Sequence, residues 1–107
     1  MRSELHDENM DQLFEAILSL ETVEDCYDFF RDLCTVTEIL SLKQRFWVAR
    51  LLREGLIYSD IVEITGASTA TISRVNRSLQ YGDGGYATVL DRMFRQGTLK
   101  RTADDEE

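Results

Sequence analysis

The sequence predicts an all-α protein, and three observations carry this. The 107 residues include no proline, so nothing breaks a helix and turns fall to Gly, Ser, Thr, Asn and Asp. Apolar residues recur at three- and four-residue intervals through one segment after another. β-branched residues cluster only within that helical spacing, so no strand is expected. The length suits one domain, read as residues 1–97, and a hydrophobic content of 43% suffices for a packed core. A chain this short buries only about two-thirds of its unfolded surface, so a dimer interface would add stability.

The first helix, about 8–20, places Met10, Leu13, Phe14, Ile17 and Leu18 on one side. The second, about 23–34, has Thr22 as N-cap and Val23, Cys26, Phe29, Phe30 and Leu33 on its apolar side. Acids crowd the starts of both, where the helix dipole favours them. Thr35 with Glu38 three residues on is a capping-box pattern opening a long helix, about 36–54. Its apolar residues, Phe46 and Trp47 among them, cover more than one stripe. That marks a central element, buried on two sides in a domain core or a dimer. Gly55 follows as a C′ residue. Ser59 is expected to cap a short helix, about 60–65, and Ser68 or Thr69 a further helix to about 79. Gly82-Asp83-Gly84-Gly85 is a loop, with Tyr81 and Tyr86 expected to anchor it. A last helix, about 86–95, carries Met93 and Phe94 inward and ends at Gly97. Residues 98–107 close on Asp104-Asp105-Glu106-Glu107 and are expected to form a disordered acidic tail, chiefly solubilising.

The formal charge is −8, which by itself argues against a phosphate-coating protein. Its distribution does not. Residues 1–40 hold 11 acids and 2 bases, residues 41–80 hold 3 acids and 6 bases, and residues 81–107 hold 6 acids and 4 bases. A basic middle thus sits inside acidic ends. Lys43, Arg50 and Arg53 are expected to neutralise the acidic first two helices in preference to contacting phosphates. Cys26 and Cys34, eight residues apart, would lie about 12 Å apart along one helix. A disulfide needs Cα atoms within about 7 Å, so both are expected reduced and buried. No apolar run reaches the roughly 20 residues of a membrane span, and the first residues lack a signal peptide's apolar region. A cytoplasmic protein with no membrane partner is expected. Nucleotide-binding, hydrolase and metalloprotease motifs are missing, and no Cys/His set has zinc spacing. Neither an enzyme nor a cofactor is expected.

Residues 58–79 read as short helix, glycine-containing turn, second helix: the helix-turn-helix pattern. Ile61, Val62, Ile72 and Val75 would pack the two helices together, and Gly66 would take a positive φ in the turn. The second helix opens Ser68-Thr69-Ala70-Thr71, small residues that let backbone N–H groups approach a phosphate or a base edge. Ser73, Arg74 and Arg77 follow, the arginines suited to phosphates or guanine edges. No acid occurs from Gly66 to Gln80, a 15-residue window that would average about 3 at this chain's composition. Double-stranded DNA is therefore the expected partner, bound through Ser68, Thr69, Ala70, Thr71, Ser73, Arg74 and Arg77.

The run Thr65-Gly66-Ala67-Ser68-Thr69-Ala70-Thr71-Ile72-Ser73-Arg74-Val75-Asn76-Arg77 resembles the signature of the Trp repressor-like family, YerC/YecD type. Ser41-Leu42-Lys43-Gln44-Arg45, Val48-Ala49 and Gly82-Asp83-Gly84-Gly85-Tyr86 extend the resemblance, which covers about residues 10–95. It implies an all-α, intertwined homodimer whose two helix-turn-helix heads meet successive major grooves about 34 Å apart on a palindromic operator. The implied function is transcriptional regulation, with repression as the family's mode.

The family resemblance also implies an effector site between the long helix and the reading helix. In the Trp repressor itself this site takes tryptophan. The arginine that stacks on the indole falls on Arg74, the threonine one turn earlier on Thr71, and the serine near the amino group on Ser78. The arginine that pairs with the carboxylate falls on Gln44, with Arg45 adjacent but about 100° round the helix. The glycine that leaves room for the ligand falls on Val75. Gln cannot form a charge-assisted bidentate pair with a carboxylate, and Val75 adds carbons where the ligand would sit. An effector, if bound, need not be tryptophan. The competing reading is a protein-interaction module that reuses the fold through its acidic N-terminal face.

Overall fold

The computed structural model describes residues 4–102, and every regular element in that range is helical. Six helices follow in order: α1 (Glu8–Leu18), α2 (Val23–Leu33), α3 (Val36–Arg53), α4 (Tyr58–Thr65), α5 (Thr69–Tyr81) and α6 (Gly85–Gln96). They form two compact units, one up to Ile39 and one from Leu40, so α3 begins in the first and runs through the second.

In the first unit the helix starts are fixed by side chains. Asp7 accepts from the Met10 N–H at 2.7 Å, and Thr22 from the Asp25 N–H at 3.0 Å. The capping box at α3 is complete: Thr35 Oγ1 accepts from the Glu38 N–H at 3.1 Å, and Glu38 Oε1 from the Thr35 N–H at 2.8 Å. Thr35→Ala should lower stability by about 1 kcal/mol, measured by urea unfolding of the full chain. Neither α1 nor α2 buries a single residue. Phe14, Leu18 and Val23 are 54%, 78% and 72% exposed.

The second unit has a core. Val48, Ala49 and Leu51 of α3 meet Ile61 of α4, Ala67 of the turn, Ile72 and Val75 of α5 and Leu90 of α6. Phe46, Trp47, Tyr86, Phe94 and Leu99 pack against this cluster, half-buried. Arg53 joins α3 to α6: its Nε and Nη2 donate to the two carboxylate oxygens of Asp91 at 3.0 and 2.7 Å. That hydrogen-bonded pairing holds the Asp91 carboxyl below the usual carboxylate range.

Several local expectations are corrected. Helix α4 starts at Tyr58 after Ile57, which makes no side-chain cap bond, so Ser59 lies inside the helix. Cys26 is exposed and Cys34 half-buried, both as free thiols; α2 has no core over it in its unit. Tyr81 is 80% exposed and does not anchor the glycine loop, whereas Tyr86 does pack on the core. Arg50 and Arg53, expected to neutralise the first two helices, pair with Glu54 and Asp91 of their own unit. Residues 98–102, expected to open the tail, are fastened to α3: Arg50 Nη2 donates to the Lys100 carbonyl and the Thr102 N–H to Glu54. The remaining tail residues, 103–107, lie outside the described range.

Candidate nucleic-acid interface

Helix α4 ends because Gly66 takes φ 74°, the left-handed conformation that glycine adopts without strain. Its N–H reaches back to the Val62 carbonyl at 2.8 Å. Thr65 tightens the turn from both sides. Its hydroxyl donates to the Ile61 carbonyl at 2.7 Å and accepts from the Ala67 N–H at 3.1 Å. Ala67 is buried, so the turn passes over the core on a methyl group. Ser68 then caps α5, its Oγ accepting from the Thr71 N–H at 3.1 Å.

The packing positions Ile61, Ile72 and Val75 are all buried, as the helix-turn-helix pattern requires, and Val62 is half-buried. A polar brace joins the same two helices. Asn76 Nδ2 donates to Tyr58 Oη at 3.3 Å, and Gln80 Nε2 to Asn76 Oδ1 at 3.4 Å. Sequence reasoning missed this brace. Its only sequence signal is a tyrosine at the first position of α4, with no partner specified.

Of the residues expected to face DNA, Ser68, Thr69, Ala70, Ser73, Arg74 and Arg77 are exposed on α5 or at its cap. Thr71 is half-buried, its Oγ1 accepting from Ser68 Oγ at 3.1 Å. The first turn of α5 holds no acid, so no carboxylate of that turn competes for its N-terminal N–H groups. The acids of this motif, Asp60 and Glu63, are exposed on α4.

Ser78 lines a groove of about 510 Å3 with Phe46, Asp83, Tyr86 and Val89. Gln44, Thr71 and Arg74 do not line it. Val75 is 2% exposed, its side chain part of the core. Among the described residues, no group of three His, Cys, Asp or Glu side chains could hold a metal ion. No helix of the described chain is long and apolar enough to cross a membrane.

A family model described as Trp repressor protein matches residues 8–94, which include the whole helix-turn-helix. This chain belongs to the Trp repressor family. It is 58% identical over 89 residues to the uncharacterized protein YerC of Bacillus subtilis (strain 168), covering 83% of this chain and 86% of YerC. A crystal structure of a candidate Trp repressor from Staphylococcus aureus is 54% identical, with a TM-score of 0.83, covering 87% of this chain and 93% of that one. A crystal structure of a TrpR-like protein from Eubacterium eligens ATCC 27750 is 58% identical, with a TM-score of 0.81, covering 92% and 98%. The all-helical Trp repressor-like fold expected from the sequence is thus the observed one. Membership of the Trp repressor family points to a DNA-binding regulator rather than an enzyme.

Proposed function

We propose that this Trp repressor family member is a cytoplasmic, sequence-specific transcriptional regulator that binds a palindromic operator as a homodimer. The observation that carries the reading is the exposed face of α5. It offers Thr69, Ala70, Ser73, Arg74 and Arg77 and no acid, in a chain whose net charge is −8. An acid-free helix capped at its N-terminus, following a rigid glycine turn, is what a major-groove reading element needs. Two arginines on an otherwise acidic chain supply little non-specific affinity, so two aligned heads are needed to hold one site.

The dimer has its own support. Helices α1 and α2 bury nothing while Phe14, Leu18, Val23, Tyr27 and Leu33 stay exposed, a large apolar surface for so short a segment. A second copy would cover it. For an effector, Gln44 at the carboxylate-pairing position and the buried Val75 argue for a ligand other than tryptophan.

Selection of bound duplexes from a random pool by the full chain, with and without free amino acids, tests the reading. The expected outcome is a two-fold symmetric sequence with half-site centres about 10 base pairs apart. Its enrichment should not depend on tryptophan. Failure to enrich any sequence, together with no gel shift of random duplex at low salt, would instead favour a protein partner for the acidic N-terminal face.

A further inference from the structure

The brace between α4 and α5 is a chain of hydrogen bonds with one direction. Gln80 Nε2 donates to Asn76 Oδ1 at 3.4 Å, and Asn76 Nδ2 to Tyr58 Oη at 3.3 Å. The Tyr58 ring packs against the core, so its hydroxyl is held both by the ring and by the Asn76 amide. The hydroxyl oxygen is used as an acceptor, and its O–H has no acceptor among the described residues. The chain therefore ends on a free donor and fits a partner that only accepts.

The surroundings select the charge of that partner. Ser73, Asn76, Arg77 and Gln80 recur at i, i+3, i+4 and i+7, so they share one flank of α5. Each can donate a hydrogen bond and none carries negative charge. Arg77 is exposed and takes part in no salt bridge among the described residues. The acids of α4 are turned away from this flank. At about 100° per residue, Asp60 stands about 200° and Glu63 about 140° round the helix from Tyr58. Both line a groove with Arg101 and Thr102 instead. In helix-turn-helix complexes the first helix crosses the DNA backbone while the second lies in the groove. Tyr58 is the first residue of that first helix.

We propose that Tyr58 is a DNA-backbone contact: its hydroxyl, aimed by Asn76, donates to a phosphate beside the bases that α5 reads, with Arg77 supplying the charge. This rests on the DNA-binding reading above. A phosphate oxygen only accepts, as the end of the chain from Gln80 through Asn76 to Tyr58 requires. The contact ties both helices to one phosphate, and contacts of this kind fix register and orientation without carrying sequence information. Tyr58 is uncharged, so its contact adds nothing to counterion release.

The test compares binding of the selected duplex and of random-sequence duplex by the full chain, by Tyr58→Phe and by Asn76→Ala. Tyr58→Phe keeps the packed ring and removes only the hydroxyl, so helicity should be unchanged. It should weaken binding about tenfold on both duplexes, with the slope of log affinity against log salt unaltered. Asn76→Ala keeps the hydroxyl and loses only its aim, so it should weaken binding less. Selected duplexes carrying one uncharged methylphosphonate at a time then locate the contact. The penalty for Tyr58→Phe should disappear at one position in each half-site and persist at the others. Equal binding by Tyr58→Phe overturns the contact. A penalty that persists at every methylphosphonate, or that Asn76→Ala matches in full, makes Tyr58 a structural brace only and overturns it as well. A full chain that binds no duplex overturns the DNA-binding reading instead.

Discussion

Replacing Arg74 and Arg77 together by alanine should weaken operator binding at least about thirtyfold. Each arginine contact to a base edge or phosphate contributes about 1–3 kcal/mol, and each 1.4 kcal/mol is tenfold in affinity. Both side chains are exposed on α5 and neither takes part in a salt bridge among the described residues. Their removal should therefore leave helicity and unfolding temperature unchanged. The slope of log affinity against log salt should also flatten, by about 0.9 for each phosphate that is no longer neutralised. Titrations of the selected operator at several salt concentrations measure both effects. Unaltered affinity in a folded double variant would sink the assignment of α5 as the reading helix.

Ile72→Ala should be among the most damaging single truncations for stability. Ile72 is fully buried, on the side of α5 opposite the reading face, in the cluster formed by Ile61, Ala67 and Val75. Truncating a buried isoleucine to alanine removes about 2–5 kcal/mol, against a total stability of about 5–15 kcal/mol for a domain. Urea unfolding of the full chain measures it. Thr69→Ala, one turn earlier and exposed, is the control and should fall within about 0.5 kcal/mol. A loss below about 1 kcal/mol for Ile72→Ala would mean that α5 is seated by something other than this cluster.

Much of the fold is legible because its determinants are local. Thr22, Thr35 with Glu38, Gly66 and Ser68 each mark a helix end by a bond to a neighbour a few residues away, and each does so in the structure. The reading face is legible for the same reason: the absence of acid from Gly66 to Gln80 is a property of one continuous segment. What escaped is non-local. The partners of Arg53 and Thr102 lie 38 and 48 residues away, and nothing in their own neighbourhoods names Asp91 or Glu54. The brace from Asn76 to Tyr58 spans 18 residues and is missed likewise. The cysteines mislead because residue type alone favours burial, whereas α2 lies in a unit with no buried side chain among its described residues.

The buried methyl of Ala67 makes the turn a pivot, and a pivot multiplies errors with distance. Arg77 stands nine positions beyond Ser68, about 13 Å along α5 at 1.5 Å per residue. A tilt of about 10° at the turn would carry its attachment point about 2 Å sideways, some four times the width of the 2.7–3.2 Å window in which an N–H···O bond forms. Seating Ile61, Ile72 and Val75 tightly around that pivot is thus a matter of aim as well as stability. A substitution there that costs little folding energy can still blur which bases the far end of the helix distinguishes.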